Sequence, residues 1–203
     1  MSDWLAPPPA DQRMPTIGDV ANAWEVAGVE VDSIVAPGVA TLLTELCATH
    51  ANGGALFARF RIGASPALHR IAVVNRWQEY GVLDSFLRSA AVRKALPELR
   101  AGDRLLANPV WAEGSAFTLG GVLAHELVVG GAYRQFERSA AEAKAIGDGF
   151  CAALFGDRFG DVQVYATSSR WAPWFFDVAW DRTWVLIDRR ERAIAILCLT
   201  DTD

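Results

Sequence analysis

The sequence predicts an α+β protein with a mostly helical N-terminal half and a C-terminal antiparallel β-sheet packed on a helix. Three observations carry this. Apolar residues recur every three or four positions through much of 16–100. Ser139 and Glu142 have the spacing of a capping box, which opens a helix over about 140–155. Beyond that helix, short apolar runs alternate with polar loops, the signature of strands.

The elements follow in order. Residues 1–14 contain Pro7, Pro8 and Pro9 and read as an extended arm, because consecutive prolines fix φ and remove backbone donors. Thr16 and Asp19 form a first capping box, with Ile17, Val20, Ala21 and Trp24 at helical intervals and Gly28 as a stop. A second helix spans about 39–50, with Leu42, Leu43, Leu46 and Cys47 on one face. The run 55–63 alternates and reads as a short strand or a helical turn. Residues 70–100 are helical in pattern, interrupted near Gly81. Residues 119–136 fit either a helix followed by a strand or a hairpin turning at Gly130-Gly131. The helix of about 140–155 places Ala143, Ile146, Phe150, Cys151 and Leu154 on one side. Strands are then predicted over 162–167, 175–180, 183–188 and 193–200, the last two joined by the polar loop 189–192. The last strand is apolar on both faces, so it should be central or covered. This divides the chain into an arm (1–14), a helical half (15–110) and an α+β half (111–203), the latter two compatible with one continuous domain.

Composition bounds the function. Apolar residues make up 52% and charged residues 21%, enough for a sizeable core. The net charge of −5 argues against nucleic-acid binding, which needs clustered cations. Charge is uneven: residues 1–58 carry seven acids and one base, whereas 59–110 carry nine bases and four acids. Either the basic segment presents an electropositive face, or the two segments pack together and cancel. Cys47, Cys151 and Cys198 are odd in number and set among apolar neighbours, which predicts buried, reduced thiols. The N-terminus shows no secretory pattern, and the longest apolar run, 193–199, is too short to span a bilayer. A cytoplasmic protein with no membrane partner is expected.

Catalytic motifs are mostly absent: there is no nucleophile elbow, phosphate-binding loop, zinc-protease helix or dinucleotide-binding glycine fingerprint. His50, His69 and His125 are scattered, so neither a multi-histidine metal site nor a catalytic residue is assigned. Asp177, Asp181, Asp188, Asp201 and Asp203 gather in the last third, where two converging acids would hold a divalent cation; turn formation is the competing reading. The unusual segment is 170–184, which holds four of the eight tryptophans. Read as a strand, it puts Trp174, Phe176, Val178 and Trp180 on one face and Phe175, Asp177, Ala179 and Asp181 on the other. An aromatic band of this kind suits a protein interface or a small core.

At 174–181 (WFFDVAWD) and 198–203 (CLTDTD) the sequence resembles the MbnC family of methanobactin biosynthesis. The resemblance implies a non-catalytic peptide-recognition subunit without its own cofactor. Its partner would be an MbnB-like TIM-barrel oxidase that carries the iron. The pair would bind the leader of a ribosomal precursor peptide and convert its cysteines into oxazolone and thioamide groups of a copper chelator. The partner interface would then take in Trp174, Phe176, Asp177, Trp180, Asp181, Asp201 and Asp203. Peptide contacts would fall to Arg59, Arg61, Arg76, Tyr133 and Tyr165, with 162–167 or 127–136 as the sheet edge that accepts the leader as an added strand. The alternatives are an antidote-type inhibitor protein and an aspartate-based metal-dependent hydrolase.

Overall fold

The computed structural model describes residues 4–5, 7, 13–33 and 36–203. Its centre is a six-stranded, wholly antiparallel sheet in the order β1-β2-β6-β5-β4-β3. The strands are β1 (Val29–Val31), β2 (Gly54–Ile62), β3 (Ala112–Ser115), β4 (Val162–Thr167), β5 (Arg182–Asp188) and β6 (Ala193–Thr200). Helices cover both faces, so the fold is α+β in three layers.

One face carries Ala58, Phe60, Ile62, Tyr165, Val185, Ile187, Ile194, Ile196 and Cys198. Against it lie α1 (Ile17–Ala21), α2 (Ala23–Ala27), α4 (Pro66–Val74), α5 (Val82–Leu87) and α6 (Ala90–Ala95). Trp24, Trp77 and Phe86 form the aromatic centre of this layer, and the Trp24 indole N–H donates to Ser85 Oγ at 2.8 Å. The other face carries Val162, Val164, Trp184, Leu186, Ala195, Leu197 and Leu199, covered by α3 (Pro37–Thr49), α7 (Ala116–Val129) and α8 (Ala140–Phe155). α7 and α8 approach closely because Gly120 and Gly147 face each other: a Cβ on Gly147 would lie 2.1 Å from the Gly120 carbonyl oxygen.

Both capping boxes form: Thr16 with Asp19, and Ser139 with Glu142. Backbone and side-chain donation from Thr16 and Ser139 holds the Asp19 and Glu142 carboxyls below their usual pKa. β6 is buried at every position between β2 and β5, as its two-sided apolar pattern requires. Asp188 opens the β5–β6 hairpin, accepting the N–H groups of Arg190 and Glu191.

Several expectations are corrected. The helical half contributes β1 and the nine-residue β2, which pairs with β6, so the sheet is not confined to the C-terminal half. The segment 119–136 contains one helix, α7, ended by Gly130, and no strand. β4 is flanked by β3 and β5 and offers no free edge. The segment 175–180 holds a bend at 177–178 and a turn at 179–180 and no strand. Cys151 and Cys198 are buried, each pushed up to about 12 chiefly by desolvation, but Cys47 is exposed, its Sγ accepting the Ala55 N–H at the end of α3. Of the arm, residues 1–3, 6 and 8–12 lie outside the described residues; Trp4 is buried against Trp77, and its backbone N–H donates to the Arg189 carbonyl. Among the described residues no helix is long and apolar enough to cross a membrane.

Candidate functional site

The residues singled out near the chain end meet at one end of the sheet, where β6 finishes and β5 begins. The loop 168–181 joins β4 to β5 there. Its shape comes from one carboxylate. Asp181 is fully buried and accepts the backbone N–H groups of Asp177 at 2.7 Å, Val178 at 3.3 Å and Phe176 at 3.4 Å, together with the Thr200 hydroxyl. In a strand these N–H groups would serve a neighbour; here a local side chain takes them. Asp177 adopts φ 67°, which breaks any extended path.

The aromatic rings therefore divide differently from the alternation. Trp171 and Phe175 are buried, 5.5 Å apart, with the Trp171 indole N–H donating to Thr183 Oγ1 at 2.9 Å. Trp174 is half-buried and meets Phe175 edge-on. Phe176 is 44% exposed, Asp177 is exposed and Trp180 is half-buried. The exposed aromatic surface of the loop is thus Phe176 and parts of Trp174 and Trp180, beside the exposed Asp177, with Asp181 turned inward.

The residue after Thr200 performs the same task on the other side. Asp201 is buried and accepts the N–H of Asn52 through Oδ1 and that of Ala132 through Oδ2, both at 2.8 Å. Asp181 and Asp201, expected at a partner interface, are instead buried, and each carboxylate holds a loop of its own chain. Asp203 is exposed. Asp201 anchors the loop 131–138, and Gly131 is required there: a Cβ would sit 2.0 Å from Asp201 Oδ2 and 2.7 Å from the Thr49 carbonyl oxygen.

That loop and the end of α3 enclose a polar groove of about 830 Å³, lined by Glu45, Ala48, Thr49 and 131–138. Its volume is within the range of ligand sites. Tyr133 stands 69% exposed on its rim. Arg138 pairs with Glu45 at 2.6 Å and lies 4.9 Å from the Phe136 ring centroid. Behind the groove, His50 is buried; its Nδ1 contacts Thr49 Oγ1 and the Leu46 carbonyl, and Nε2 has no hydrogen-bond partner among the described residues. Burial lowers its pKa, opposed by the Leu46 bond and by Asp201.

The other expected peptide contacts lie elsewhere. Arg59 is buried and paired with Asp32 at 2.6 Å, with burial lowering its pKa and Asp32 opposing the shift. Arg61, exposed, shares Asp32 at 3.2 Å. Acidic and basic segments thus partly cancel at this point. Arg76 is exposed and pairs with Glu79. Tyr165 is buried in the sheet, its hydroxyl donating to Asn75 Oδ1 at 3.1 Å and its pKa pushed up to about 12, mainly by burial. Arg59 and Tyr165 are therefore internal, and Arg61 and Arg76 are not part of the groove.

Among the described residues no three His, Cys, Asp or Glu side chains converge to hold a metal ion. The residues 131–138 that line the groove carry no periodic pattern; in the sequence only Gly130-Gly131 and Tyr133 mark it. The chain matches no family model, and no curated protein or solved structure matches it at a significant level.

Proposed function

We propose that this chain is a non-catalytic polypeptide-binding subunit that docks a partner protein through the loop 168–181. The observation that carries the reading is the buried Asp181 carboxylate beneath Phe176, Asp177 and Trp180. It fixes the loop before any partner arrives, so little ordering entropy remains to be lost on binding. Large aromatic rings held partly exposed on a rigid base suit an interface hot spot. The groove beside Tyr133, of about 830 Å³, supplies a second surface for a peptide.

In its finer form, the proposal takes the partner to be an MbnB-like TIM-barrel oxidase that carries iron, and the peptide to be the leader of a Cys-containing precursor, in the cytoplasm. Co-expression with such an oxidase tests it. Recovery of a stoichiometric, iron-loaded heterodimer that binds the precursor supports the finer reading. Recovery of a hydrolase that the chain inhibits would replace it with the antidote reading. Turnover by the purified chain alone would overturn both.

A further inference from the structure

We infer that the cavity between α1, α5 and the loop 100–108 is a binding site for an organic anion: a carboxylate or phosphate monoester carried on an apolar body. The cavity holds about 600 Å³, within the range of small-molecule sites. Ile17, Tyr80, Arg88, Arg104, Leu105 and Asn108 line it. Other cations of the basic segment are matched by acids: Arg59 and Arg61 share Asp32, Arg76 pairs with Glu79, and Arg93 pairs with Asp103. Among the described residues Arg88 and Arg104 have no such partner. The cavity's own acid, Asp84, accepts the Trp111 indole N–H at 3.0 Å. Arg88 Nε donates to the Asp84 backbone carbonyl at 3.2 Å, and no further bond holds its guanidinium among the described residues.

Two guanidiniums that line one cavity repel each other, and an anion bound between them removes that repulsion. Guanidinium matches carboxylate and phosphate oxygens best, in charge and in the geometry of its donors. Ile17 stands 70% exposed at this cavity, and Tyr80 and Leu105 are half-buried beside it, which offers contact to an apolar body. Tyr80 supplies a second, independent observation. It has φ 57° and Gly81 φ 65°, at the centre of a turn closed by the Val82 N–H on the Glu79 carbonyl at 3.2 Å. Gly, Asn and Asp fill such positions most readily. A tyrosine is held there at a cost, and costs of this kind gather at ligand sites. None of the lining residues belongs to the loop 168–181 or to the groove of 131–138, so this site stands or falls apart from the docking reading.

The test is calorimetric titration of the purified full chain with benzoate, hexanoate and phenyl phosphate, with benzyl alcohol as the uncharged control. The expected result is saturable binding of at least one of the three anions and none of benzyl alcohol; preference for phenyl phosphate or for the two carboxylates identifies the headgroup. Arg88→Gln and Arg104→Gln alter exposed side chains and should each raise the dissociation constant by at least about tenfold, with circular dichroism unchanged. Lys94→Gln, at an exposed cation outside the cavity, should leave it unaltered. No saturable binding of any of the anions, an affinity indifferent to both arginine variants, or an equal loss in Lys94→Gln would overturn the inference.

Discussion

The buried carboxylate of Asp181 accepts the hydroxyl of Thr200, and this contact ties the aromatic loop to the last residue of the central strand. The loop is thereby an extension of the sheet's rigid core. Replacing Asp181 with Asn removes the charge that strengthens three backbone bonds. The expected cost is about 1–3 kcal/mol of stability, with a change in tryptophan emission, read by urea denaturation. Unchanged emission and midpoint would show that the loop is held by its rings alone.

Gly131 and Gly149 make a paired prediction. Gly131→Ala must push against Asp201 and Thr49 and should destabilise by about 1–3 kcal/mol. Gly149 lies within α8 with nothing within 4 Å of a new Cβ, so Gly149→Ala should stabilise by about 0.5–1 kcal/mol. Thermal melts of the two variants should move in opposite directions.

His50 predicts a pH dependence. Burial holds its folded pKa below the ordinary value of 6.5, so between the two values the unfolded chain binds the proton and the folded chain does not. Stability should be level above about pH 7 and fall as the pH drops below 6.5 toward the folded value. His50→Gln should flatten that segment of the curve. Asp19 and Glu142 act lower: their folded pKa values are depressed, so the stability they contribute is present above their ordinary range and is lost as the pH falls through the folded values. Melting temperatures from pH 8 to pH 3 separate the two regions.

The cap of α8 is a further check. Ser139→Ala removes the acceptor for the Glu142 N–H and should cost about 1 kcal/mol in urea denaturation. No loss would mean that packing against α7 alone fixes the helix start.

Where local chemistry determines structure, the sequence was legible. Ser139 with Glu142 and Thr16 with Asp19 marked two helix starts, and the unbroken apolar run of β6 marked the centre of the sheet. It was misleading at 174–181, where alternating aromatic and acidic residues imitate a strand although Asp181 draws the backbone into turns. Pairing of β2 with β6 links residues far apart in sequence, and no local pattern specifies it. The same holds for Asp201, whose partners Asn52 and Ala132 come from other parts of the chain.

The most direct test of partner docking through the aromatic loop is titration calorimetry of the purified chain and its Phe176→Ala and Trp180→Ala variants against the co-purified partner. Each folded variant should weaken binding by more than about 1 kcal/mol, the usual scale for an interface aromatic. Unchanged affinity in both, with folding intact, would contradict docking through this loop.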